Sequence, residues 1–161
     1  MKKLFAAIIF GSILTLLASQ VRAENTDAFA ILGSTPFAQK NYGANVVKGR
    51  AELHALSRSS TVVVVRVTGL KPGSIHATHI HRGTCLQLSP GEITNDLSPV
   101  VANERGVGFS KTAIPSSLAD LGDCSWWIAV HEGPANATPQ TPAIAVAPVI
   151  THSDAGDAAK F

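Results

Sequence analysis

Aromatic side chains make up only 6% of this 161-residue chain, and its lysines and arginines form no patch. Both the stacking platform and the basic surface that nucleic acid requires are missing. Beyond residue 18 no apolar run is long enough to cross a bilayer. There is no internal repeat and no second compositional regime, so one domain is expected. Cysteine is limited to Cys85 and Cys124, neither placed where a lipid anchor would attach.

The first 23 residues have the anatomy of a secretory signal of bacterial type. Lys2 and Lys3 precede an apolar run from Leu4 to Ala18, and Val21-Arg22-Ala23 supplies a small-residue cleavage site. Cleavage after Ala23 leaves a mature domain at 24–161, periplasmic or secreted, with no membrane association. It also removes three of the 13 basic residues (Lys2, Lys3, Arg22) and none of the 11 acidic ones, so the mature formal charge is −1. In an exported chain two cysteines are most simply one Cys85–Cys124 disulfide. Closing a loop of that length is worth roughly 4 kcal/mol in the chain-entropy picture. Thiolate ligation of Cu(I) is the alternative use of the pair.

Short runs of strand rhythm separated by turn residues predict an all-β fold, a Greek-key sandwich or barrel of seven or eight strands. Val47, Gly49, Ala51, Leu53 and Ala55 alternate with Lys48, Arg50, Glu52 and His54. Thr61–Thr68 is rich in β-branched residues, and Gly69-Leu70-Lys71-Pro72-Gly73 follows as a turn. Other strands are expected at 28–33, 76–81, 107–112, 125–131 and 143–150. A helical turn capped by Ser116 or Ser117 is expected near Leu118, and a loose tail from about 151.

The chemistry concentrates in two segments, His76-Ala77-Thr78-His79-Ile80-His81 and Trp126-Trp127-Ile128-Ala129-Val130-His131-Glu132-Gly133. Residues two apart on a strand share a face, so His79 and His81 project together while Ile80 turns to the core. Ile128 and Val130 take the core parity in the second segment, which sends His131 outward with Ala129 and Trp127. Three imidazoles converge if the strands are neighbours. His76 has the opposite parity and reads as structural, His54 as solvated. Trp126 and Trp127 oppose each other, one expected to fill the core and the other to shield the approach to His131.

The ordered set of Gly69–Gly73, His76, His79, His81 and Val130-His131-Glu132 resembles the copper half of the Cu/Zn superoxide dismutases, with the likeness running from about Asp27 to Ile150. The chordin-type CHRD module is similar in its Gly-Leu-x-Pro-Gly, His-Ile-His and Val-His elements. The first resemblance implies one copper ion per chain on His79, His81 and His131, with His76 as a supporting group. It implies superoxide or a copper-exchange partner as the counterpart, and it allows a homodimer.

Departures from that family are equally informative. No histidine lies between His81 and His131, where the family's bridging and zinc-binding histidines would fall, so no zinc site of the family type is expected. Copper would then be three-coordinate unless water or His152 completes it. The family's substrate-guiding arginine belongs in the loop before the last strand, but residues 133–142 carry no charge. Arg82 or Lys111 would have to replace it. The family's disulfide reaches the last strand, where this chain has Ala145-Val146-Ala147. Three histidines with an open position also describe a hydrolytic zinc site, but Glu132 directly follows His131 and faces away from it.

These readings leave three functions in competition: a copper-only dismutase, a copper buffer or carrier, and a CHRD-like interaction module without metal.

Overall fold

A computed structural model describes residues 27–43, 46–83, 91–121, 123–134 and 141–151. Its strands are β1 (Asp27–Ser34), β2 (Lys48–Ser57), β3 (Ser60–Thr68), β4 (Ile75–Arg82), β5 (Ile93–Ala102), β6 (Gly108–Ile114), β7 (Asp123–His131) and β8 (Ala143–Thr151). One short helix, α1 (Pro36–Tyr42), and a 3-10 turn at Leu118–Leu121 complete the set. The signal expected at 1–23, Cys85, His152 and residues 135–140 lie outside the described residues, as does the side chain of Cys124.

The strands close into an eight-stranded antiparallel barrel in the order β1-β2-β3-β6-β5-β4-β7-β8. The β3–β4 and β6–β7 connections each pass over two strands, a Greek-key path that makes β4 and β7 neighbours despite the forty residues between them. On β3, Thr61, Val63, Val65 and Val67 are buried while the alternate residues, Val62 and Val64 included, are not, so burial follows the strand's period of two. Leu32, Leu53, Ile80, Val100, Ile128, Ile144 and Val149 fill the interior. Leu118 and Leu121 close one end, with Ser117 capping their turn through a bond from the Ala119 N–H to its Oγ.

Two elements were not anticipated from the sequence. In α1, Thr35 is the N-cap, its Oγ1 accepting from the Ala38 N–H, and Pro36 occupies the first helical turn. In β5, Pro99 cannot donate to a ladder, and only Val101 and Ala102 pair with β6. The Thr112 hydroxyl accepts from the Ser98 N–H where a strand partner would otherwise stand.

The β3–β4 turn depends on glycine. Gly69 has φ +79°, and a Cβ there would lie 1.9 Å from the Val46 carbonyl oxygen.

Candidate metal centre

β4 and β7 run antiparallel with His79 opposite Ala129, Ile80 opposite Ile128 and His81 opposite Trp127. The small Ala129 leaves open the space beside His79, and His131 comes in on the diagonal. The ring centroids of His79 and His131 are 5.0 Å apart, and His81 lies 5.8 Å from each. One nitrogen from each ring lies within 4.8 Å of the others. Ladder irregularities fall beside the histidines, between Ile80 and His81 on the β5 side and between Val130 and His131 on the β8 side. Such bulges re-aim neighbouring side chains.

All three histidines are buried, at 3 to 5% exposure, although they stand on the barrel's outer face. Trp127 contributes to this cover by stacking on His81 at 4.5 Å, with 17° between the planes. Trp126, of opposite parity, packs partly buried against the core. The expectation that one tryptophan shields the site thus applies to His81 rather than to His131.

Outward hydrogen bonds define the tautomers. Nδ1–H of His131 donates to the Thr141 carbonyl at 2.7 Å, and Nδ1–H of His81 to the Gly91 carbonyl at 3.1 Å. Carbonyl oxygens only accept, so Nε2 of each ring keeps its lone pair. On His79 it is Nε2 that faces a carboxylate, Asp96 Oδ1 at 3.5 Å, which leaves Nδ1 with the lone pair. These three inward nitrogens, His79 Nδ1, His81 Nε2 and His131 Nε2, are buried and have no hydrogen-bond partner among the described residues. Buried polar atoms normally have partners. Three converging nitrogens, two backed by a hydrogen bond from the far side of the ring and the third by a carboxylate facing it, form a donor set suited to a metal cation.

Gly91 supports this arrangement by what it lacks. A Cβ there would stand 1.7 Å from the Arg82 carbonyl oxygen, so only glycine lets this segment lie against β4 with its carbonyl at His81.

Burial pushes His79 and His81 below the ordinary histidine value. On His79 the neighbouring His131 adds to that effect and Asp96 opposes it. On His81 the bond to Gly91 opposes it. Both rings are therefore biased to the neutral form that binds metal.

His76 is not part of the donor set, because both its nitrogens are engaged. Nδ1 donates to the His131 carbonyl at 2.7 Å and Nε2 lies 2.7 Å from Ser74 Oγ, so the ring braces the backbone of His131. Glu132 faces away from the trio. Its carboxylate accepts from the Tyr42 hydroxyl and pairs with Lys71 Nζ at 3.5 Å, while Lys71 also lies over the Tyr42 ring. Burial, followed by Glu132, raises the Tyr42 phenol above its usual range. Nothing in the sequence marked Tyr42 or Lys71 as partners of Glu132.

Neither substitute for the guiding arginine stands beside the trio. Arg82 is of opposite parity to His81 and lies over Trp126 at 5.0 Å, and Lys111 sits across from Val64 on the β3–β6 wall. His54 lies exposed on β2. The charge placed next to the trio is the Asp96 carboxylate.

The chain matches no protein-family model, and no curated protein is significantly similar to it.

Proposed function

We propose that this is an exported copper-binding protein with a superoxide-dismutase-like barrel. It holds one copper ion per chain on His79 Nδ1, His81 Nε2 and His131 Nε2, and it buffers or delivers copper rather than turning over superoxide rapidly. The observation that carries the reading is the set of three buried, inward-facing nitrogens without hydrogen-bond partners among the described residues. Three neutral imidazoles with no thiolate or carboxylate among them suit copper, which also leads the divalent affinity order at nitrogen sites. The likeness of His79, His81 and Val130-His131-Glu132 to the copper half of the dismutases supports the same metal, and residues 1–23 support export.

Bound copper would supply a one-electron couple. Asp96 and the Gly91 and Thr141 carbonyls hold each ring's proton on its outer side, which raises the basicity of the inner nitrogen. Trp127 covers His81, and His76 steadies the His131 backbone. Tyr42 and Lys71 hold Glu132 away from the trio, so Glu132 does not serve as the general base that a hydrolytic zinc reading needs.

Dismutation is the second reading, favoured by the resemblance and by a donor set of only three groups. Against it, Arg82 lies over Trp126, and no cation among the described residues is placed to steer an anion toward the trio. A CHRD-like module without metal would leave the three nitrogens unexplained.

The test is to grow the mature protein with copper and measure bound copper, its transfer to a chelator, and superoxide consumption. One retained equivalent that transfers, with consumption no faster than free copper, is expected. Rapid, salt-sensitive consumption would replace the carrier with the dismutase, and protein free of copper would reject both.

A further inference from the structure

The side chain of Arg82, turned away from the histidines, enters a different feature. Arg82 and Trp126 are directly opposite on β4 and β7, one step beyond the His81–Trp127 pair and on the other face. They stand at one end of the β4–β7 pair, beside the 3-10 turn whose Leu118 and Leu121 are buried. There they line a cavity of about 460 Å³, together with Arg58 from the β2–β3 hairpin and polar groups from β5 and the segment after β6. Cavities of this size are common ligand sites.

We infer that this cavity binds a small molecule bearing an oxyanion, a carboxylate or phosphate, clamped by Arg82 and Arg58. A guanidinium over an indole uses its flat face and leaves its in-plane N–H groups free for a bidentate anion contact. Arg82 is held that way by Trp126 at 5.0 Å. The wall opposite supplies neutral donors. Asn95 Nδ2 donates to Ser116 Oγ at 3.1 Å, and the Ser116 carbonyl is anchored by the hydroxyl of the buried Thr61 at 2.7 Å. Ser117 Oγ accepts from the Ala119 N–H, so its own proton remains available to a ligand. Among the described residues Asp120 is the one carboxylate of the lining, against two guanidiniums, so their summed charge is positive and Asp120 weakens anion binding. This site is separate from the histidine cluster and does not depend on it for its chemistry.

The test uses metal-free mature protein carrying His79→Ala, so that an anion cannot act through bound metal. Inorganic phosphate and citrate are titrated while the Trp126 indole N–H and Arg82 Nε–H resonances are followed, with sodium chloride at equal ionic strength as control. A saturable shift is expected with at least one anion and not with chloride. Arg82→Gln and Arg58→Gln should each weaken it about tenfold or more, and Asp120→Asn should tighten it. A response to phosphate alone assigns a phosphate-bearing ligand, and a response to citrate alone assigns a carboxylate. The inference is overturned if neither anion shifts these resonances, if chloride acts equally, or if both arginine variants bind as the parent does.

Discussion

β3 and β4 are both paired on each side within the same barrel, yet they treat their outer faces differently. On β3 the inward Thr61, Val63, Val65 and Val67 are buried, while Arg66 and Thr68 between and beyond them are exposed. On β4 every residue from His76 to His81 is buried, on both faces. The interior side of β4 does what β3 does, with Ile80 in the core. Its outer side buries imidazoles whose inner nitrogens lack partners among the described residues, and each such atom costs about 1–3 kcal/mol if nothing binds it. The proposed metal site accounts for a polar face covered at that cost.

The largest expected effect breaks the shared side of the comparison. Ile80→Ala should destabilise the metal-free protein by about 2–5 kcal/mol, read from urea unfolding. A loss under about 1 kcal/mol would mean that β4 does not contribute to the core as β3 does.

Removing a support on the outer side should affect metal rather than folding. Asp96→Asn takes away the carboxylate facing His79 Nε2 and should weaken copper affinity by roughly 10–100-fold. Its side chain is 86% exposed, so unfolding should hardly change. Unaltered affinity would mean that Asp96 does not orient the ring.

Acid should act on the same side. The folded-state values of His79 and His81 lie below the ordinary 6.5, chiefly through burial. The unfolded chain therefore binds more protons, and stability is full above about pH 6.5 and declines as pH falls from there through the folded-state values. Protons compete for the metal-binding nitrogens over the same interval, so copper release should accompany the decline. A pH series of urea midpoints with copper measured in parallel checks the sign. Stability that rises on acidification would contradict it.

The smallest effect belongs to the exposed wall. Lys111→Ala, on β6 beside β3, should change stability by no more than about 0.5 kcal/mol and leave copper binding as it was.

Some of this contrast was legible in the sequence. Period-two alternation revealed β2 and β-branched content β3, and strand parity separated His79 and His81 from Ile80 and gave His131 its outward direction. The eight-stranded closure satisfies the expectation of a Greek-key sandwich or barrel. The orientation of each ring was not legible, because it rests on the backbone carbonyls of Gly91 and Thr141, which no side-chain pattern encodes. Asp96 reaches His79 through a register with two irregularities along β4 and β5. Pro99 disguised β5, and α1 was too short for periodicity, although Thr35-Pro36 is a recognisable helix start. Tyr42 and Lys71 meet Glu132 only because the barrel brings distant segments together.

Copper titration of the mature protein with electron paramagnetic resonance, on wild type and His79→Ala, bears most directly on the central claim. One tight equivalent with nitrogen hyperfine structure in the wild type, lost in the variant, is the predicted result. A wild type without specific binding, or a variant that binds copper with the same affinity and spectrum, would contradict it.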